Sequence, residues 1–155
     1  MASAKRKPSS ADLLVLEEFL PYRLSVLSNR VSRAIASRYA KAFELTIPEW
    51  RIIAVLGRKP GLTAKQIAEA TEMDKVAVSR AVSRLIDARR VEARADRDDA
   101  RRQFLSLTTQ GESVHARIVP IALASEEKLL SALSARERAQ LDDLLDRLLA
   151  SATKL

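Results

Sequence analysis

The sequence predicts a mainly α-helical protein: a winged helix-turn-helix with a small β-hairpin wing and a helical dimerisation region. Three observations predict it. Ala, Leu and Arg abound in a chain that is 47% hydrophobic yet only 4% aromatic, with three glycines and five prolines, a composition that favours helix over strand. Apolar residues recur at helical spacing along most of the chain. That period gives way to alternation in two short runs only, near residues 90–107.

Residues 1–10, MASAKRKPSS, have nothing to bury and read as a disordered basic tail. A short helical stretch is expected over 12–19, and Pro21 suits the first turn of a longer helix ending near Phe43. Leu24, Leu27, Val31, Ile35, Tyr39 and Ala42 mark its apolar stripe. Pro48 opens the next helix and Gly57 is expected to stop it, with Trp50, Ile53 and Leu56 facing a core. After a basic turn at 58–61, Thr63 and Gln66 form a capping box for a helix over 64–70. Asp74 then caps a helix running to about Ala88, with Val78, Ala81, Val82 and Leu85 buried and Ile86 at the margin.

Two extended runs, 90–94 and 102–107, flank the charged loop 95–101 and read as a hairpin. Thr109 and Glu112 are expected to cap the following helix, which carries Val114, Ile118, Ile121, Ser125 and Leu129 and should kink at Pro120. Ser134 and Glu137 form a further capping box, and Leu141, Leu144, Leu145, Leu148 and Leu149 make a stripe that needs a partner. Three regions follow: the tail at 1–10, a dimerisation region made of 11–45 and 109–155, and a DNA-binding module at 46–108.

At 155 residues the chain fits one domain or a compact two-lobed unit, without room for a separate enzymatic domain. The absence of cysteine excludes disulfides and thiolate chemistry within the chain, and His115, the lone histidine, cannot build a metal site alone. A Ser/His/Asp set, a Gly-rich phosphate loop and a metal cluster are all missing, so no catalytic residue, cofactor or metal is expected. Without an apolar run of membrane-spanning length or a signal-like N-terminus, the expected location is the cytoplasm.

The net charge of +7 points to a polyanionic partner. Its excess lies at 1–41 (+5) and 58–104 (+4), whereas 105–155 is close to neutral (−1) and Leu-rich. Two helices joined by a tight turn and followed by a charged hairpin suit double-stranded DNA, the second helix entering the major groove. On that helix Arg80 can reach guanine bidentately, and Val76 and Ala77 can meet thymine methyls. Thr63, Lys65, Gln66, Lys75, Ser79, Ser83 and Arg84 complete the candidate contacts on the two helices. In the loop, Arg97 and Arg101 suit the minor groove, with Asp99 expected to brace Arg101 and leave Arg97 free. The bland alternative, a solvated helix face beside a salt-bridged turn, loses weight because the two features adjoin.

At these residues the sequence resembles the MarR family of bacterial transcription regulators, from Tyr22 to Leu149. The stretch DKVAVSRAVSRLIDARRVEAR at 74–94 is similar to the family's recognition helix and first wing strand. DRDDARRQFLSLTTQG at 96–111 resembles its D-x-x-D-x-R wing and L-T-x-x-G signature, and IPEWRIIAVLG at 47–57 the preceding helix. Arg97 stands where the family often has proline. The resemblance implies a triangular homodimer in which the first and last two helices interlock, acting as a regulator on an inverted-repeat site. It further implies a small aromatic carboxylate or phenolic effector, for which Arg23 is the candidate cation and Tyr22, Ser28, Trp50 and His115 the candidate lining. A core role is the competing expectation for Trp50 and His115. The rival readings are a nonspecific architectural DNA-binding protein, which should carry apolar wedges that this loop lacks, and a regulator with no effector.

Overall fold

The computed structural model of the chain describes residues 14–154, so the basic tail expected at 1–10 lies outside the described residues. The elements run α1 (Leu20–Phe43), α2 (Ile47–Arg58), α3 (Ala64–Thr71), α4 (Lys75–Asp87), β1 (Val91–Ala95), β2 (Gln103–Leu107), α5 (Thr109–Leu130) and α6 (Ala135–Ala152). Of the helical stretch expected at 12–19, residues 16–18 form only a turn, and α1 starts at Leu20 with Pro21 in its first turn.

Helix α2 is the hub: it packs against α1, α3, α4, α5 and β2. An element surrounded in this way cannot keep one polar face, which is why Ile52 is buried beside the expected Ile53 and Leu56. Its start is fixed by a capping box at T-I-P-E, one residue before the start expected at Pro48. Glu49 Oε2 accepts from the Thr46 backbone N–H and hydroxyl, both at 2.7 Å. The expected stop at Gly57 does not occur, for α2 continues to Arg58. Gly57 serves packing instead: the His115 ring of α5 lies where a β-carbon would project.

The core joins Ile52, Ile53 and Leu56 of α2 to Ile67 of α3, Val78 and Leu85 of α4, Val91 and Leu105 of the hairpin, and Ile118 of α5. Each fully buried Ile or Leu contributes roughly 1.5–3 kcal/mol relative to leaving it in water. Around Trp50 the packing is aromatic, with Tyr39 at 5.8 Å on one side and the His115 ring stacked at 6.1 Å on the other. Burial raises the Tyr39 hydroxyl above its ordinary pKa, against the opposing pull of the nearby Arg51 guanidinium. Arg117 of α5 sits 4.7 Å over the Phe43 ring and ties α5 to the end of α1.

The hairpin pairs β1 with β2 antiparallel, Val91 opposite Leu107 and Ala95 opposite Gln103. A single bridge from Leu62 to Leu105 adds a third chain segment to it. That bridge needs the Gly61 N–H, which donates to the Leu105 carbonyl at 2.9 Å, with Gly61 at φ +76°. One residue of pairing leaves no alternation for a sequence reading to find.

Helix α5 begins one residue earlier than expected. Thr108, not Thr109, is the cap, and its hydroxyl accepts from the Gly111 N–H at 3.1 Å while donating to the Arg89 carbonyl at 2.6 Å. Glu112 takes no part in this cap. The helix runs through Pro120 without interruption to Leu130. Its turn into α6 is clamped by Arg138, which pairs with both Glu127 oxygens at 2.9 and 3.0 Å and donates to the Leu130 carbonyl at 3.0 Å. Accordingly the Glu127 carboxyl is held below its usual pKa, first by that hydrogen bond and then by the charge of Arg138.

Candidate nucleic-acid interface

Helix α3 starts with the expected box: the Thr63 N–H donates to Gln66 Oε1 at 2.9 Å, and the Gln66 N–H to Thr63 Oγ1 at 3.3 Å. With its carbonyl turned inward, the Gln66 side chain keeps its amide N–H groups for an outside acceptor. The turn between α3 and α4 closes on Glu72, which takes the left-handed conformation at φ 52°. Asp74 Oδ1 then accepts from the Ala77 N–H at 2.8 Å and starts α4.

On α4, Val78, Ala81, Val82 and Leu85 are buried, whereas Lys75, Val76, Ser79, Arg80, Ser83 and Arg84 are exposed and Ala77 is half-buried. Val76 is 59% exposed, an apolar side chain standing on a polar face beside Arg80. The Ser83 hydroxyl donates to the Ser79 carbonyl at 3.0 Å, so it must rotate before it can donate to a phosphate.

The hairpin tip is built by its aspartates acting on backbone. Asp96 Oδ1 accepts from the Asp98 N–H and Asp99 Oδ1 from the Arg101 N–H, each at 3.0 Å. Asp99 thus braces Arg101 through the main chain. Neither Arg97 nor Arg101 enters a salt bridge among the described residues, so both guanidinium groups are exposed and unpaired. The nearest hairpin ion pair is Arg94 with Glu92, at 3.2 Å on β1.

Between α3, α4 and the hairpin lies a cleft of about 850 Å³. Of the candidate DNA contacts, Thr63, Lys65, Gln66, Ser79, Ser83 and Arg101 line it. Lys75, Val76, Ala77, Arg80, Arg84 and Arg97 are not among its lining residues. Arg102 and Gln103 also line the cleft and were not anticipated, although Arg102 adjoins Arg101 in the sequence. The Arg102 guanidinium lies 5.3 Å over the Phe104 ring.

A family model described as MarR family matches residues 43–102, the span from the end of α1 to the hairpin. The transcriptional regulator HosA of Escherichia coli O127:H6 is 32% identical over 95 residues, covering 61% of this chain and 70% of HosA. The chain belongs to the MarR family. Two solved structures extend the likeness over the fold. The Staphylococcus aureus MepR–DNA complex matches with a TM-score of 0.77 at 25% identity, covering 86% of this chain and 98% of MepR. Streptomyces coelicolor PcaV, solved with its natural ligand, matches at 0.72 and 26% identity, covering 90% and 98%. As a MarR-type protein the chain is a DNA-binding transcriptional regulator and not an enzyme.

The residues expected to line a ligand site in this MarR-family chain fall into two groups. Trp50 and His115 stack where α2 meets α5. Tyr22, Arg23 and Ser28 lie in the first half of α1, with Tyr22 40% exposed. Arg23 precedes Tyr39, the α1 residue against Trp50, by sixteen positions, which at 1.5 Å per residue is about 24 Å along the helix. Within one protomer the two groups therefore do not meet. None of the described helices is long and apolar enough to cross a membrane.

Proposed function

We propose that this MarR-family regulator is a homodimeric repressor that binds an inverted-repeat operator and releases it on binding a small aromatic carboxylate or phenolic compound. The observation that carries the dimer is α6: an 18-residue helix with not one residue buried. Leu144, Leu148 and Leu149 on it are 50%, 44% and 67% exposed, and Leu20, Leu24 and Leu27 of α1 are exposed likewise. So much unpartnered leucine is costly in water and calls for a second copy. Residues 46–108 are then the DNA-binding lobe, and 11–45 with 109–155 the dimerisation region.

On DNA, Arg80 with Val76 and Ala77 reads base edges, and Lys75 and Arg84 flank them. Thr63, Lys65, Gln66, Ser79 and Ser83 hold the phosphate strand, while Arg97 and Arg101 enter the minor groove. The free amide of Gln66 and the aspartate-built tip favour this division of roles. Binding of a small ligand is favoured by the likeness to PcaV, which was solved with its natural ligand.

Sedimentation velocity at micromolar concentration should give a dimer for the unmodified chain. Leu144→Asp with Leu148→Asp should give a monomer with a far weaker hold on DNA. Because both side chains are already exposed within the protomer, its helix content should be unchanged. A monomeric parent, or an undisturbed dimer in the double variant, contradicts the reading.

A further inference from the structure

Helix α6 meets the rest of its own protomer only at its root. Within it Arg138 and Leu141 alone are half-buried, and every residue from Asp142 to Lys154 is exposed. Leu144, Leu145, Leu148 and Leu149 therefore project on an arm whose direction is set at the α5–α6 turn. At 1.5 Å per residue Leu149 lies about 16 Å beyond Arg138 along the helix, so a tilt of about 10° at the root displaces it by about 3 Å. Close-packed contacts do not absorb a shift of that size.

One side chain holds that root. Arg138 Nη1 and Nη2 donate to Glu127 Oε2 and Oε1 at 3.0 and 2.9 Å, and Nε donates to the carbonyls of Leu130 at 3.0 Å and Leu133 at 3.3 Å. Glu127 and Leu130 belong to the last turn of α5, Leu133 to the connection, and Arg138 to the start of α6. The end of α5 leaves the Leu130 carbonyl without an intrahelical partner, and a cation suits that negative end. Exposed ion pairs contribute little as a rule, because both side chains keep their freedom. This pair is bidentate, and its arginine is fixed again by backbone oxygens on both sides of the turn. The Ser134–Glu137 box orders the first turn of α6, the base from which Arg138 reaches back.

We propose that Arg138 is a positioning residue for dimerisation: from outside the exposed leucines it fixes the angle at which α6 leaves α5, and so presents Leu144, Leu148 and Leu149 to the second copy in one orientation. An arm ordered before encounter spares the dimer the entropy of ordering it. The inference rests on the dimer reading above and adds to it a residue whose part is to aim the contact. Lysine cannot replace it, since an ammonium has no planar fork to span Glu127 and the two carbonyls together.

Sedimentation velocity over a dilution series from micromolar to nanomolar, with helix content and Tm recorded alongside, tests the role on the full chain. Arg138→Met should raise the dimer dissociation constant at least tenfold and Glu127→Gln several-fold, with helix content unchanged. The double variant should be no weaker than Arg138→Met, because both substitutions remove the same contact. Arg138→Lys should not restore the parent affinity. A parent chain that is monomeric throughout ends the dimer reading and this inference with it. A dimeric parent with Arg138→Met and Glu127→Gln both within twofold of it leaves the dimer standing and overturns the clamp, even if Tm falls. Losses that add in the double variant would place Arg138 in the subunit contact itself, which also overturns the positioning role. Glu127 has a side chain 68% exposed, so Glu127→Gln keeps the test decisive if Arg138→Met fails to fold.

Discussion

Gly111→Ala is expected to cost about 3 kcal/mol of folding stability, at the upper end for overpacking, because the added methyl runs into backbone and not into a movable side chain. A β-carbon at Gly111 would collide with the Arg90 carbonyl oxygen and press on the Leu107 side chain. That carbonyl accepts from the Thr108 N–H at 3.1 Å, and Thr108 caps α5, so the collision falls on the seam where α4, the hairpin and α5 are joined. To relieve it, α5 must move away from the α4–β1 corner and give up the bonds that Thr108 donates to the Arg89 and Arg90 carbonyls. For a chain of this length the loss corresponds to a fall of roughly 10 °C in Tm. Gly61→Ala is the control: a β-carbon there meets nothing, and only its φ of +76° is strained, which costs about 1 kcal/mol. A Gly111→Ala melt within a degree or two of the parent contradicts this packing.

Arg80→Ala is expected to weaken binding to the preferred operator by about 1–3 kcal/mol, roughly 5- to 150-fold, and to relax base preference at the position Arg80 reads. The side chain is exposed on α4 and enters no ion pair among the described residues, so folding should be unaffected. Lys65→Ala should instead weaken operator and random DNA alike and lower the salt dependence of binding by about one counterion. Its existing contact, 3.9 Å to Glu69 with both side chains largely exposed, is too weak to hold it from a phosphate. Titrations on operator and random duplexes at several salt concentrations separate the two roles. Equal losses on both DNAs for Arg80→Ala would make it a phosphate contact.

Local chemistry carried most of what could be read before the fold was known. The boxes Thr63–Gln66 and Ser134–Glu137 and the Asp74 cap act within four residues, and all three start helices as expected. Thr46–Glu49 has the same signature and starts α2 at Ile47, one residue before Pro48. Gly57 illustrates the opposite limit. A glycine near a helix end reads as a stop, and only the approach of His115, 58 positions later, shows that a side chain at position 57 has no room. The α5 cap was misplaced because both Thr108 and Thr109 can cap, and the choice falls to Thr108, which also reaches the Arg89 carbonyl.

The candidate DNA site was legible for a similar reason: α3, α4 and the hairpin are consecutive, so spacing alone brings Thr63, Ser79 and Arg101 to one cleft. The ligand residues were not, because periodicity gives the face of a helix and not the distance along it. Arg23 and Trp50 both suit their own faces while lying on separate parts of the protomer.

Two recognition helices related by a two-fold axis must leave their mark on the sequences that the chain selects from random duplex DNA. Bound sequences should converge on an inverted repeat whose half-site centres lie about 10 base pairs, one helical turn, apart. A bound pool with no shared sequence, or with a single unrepeated half-site, would contradict it.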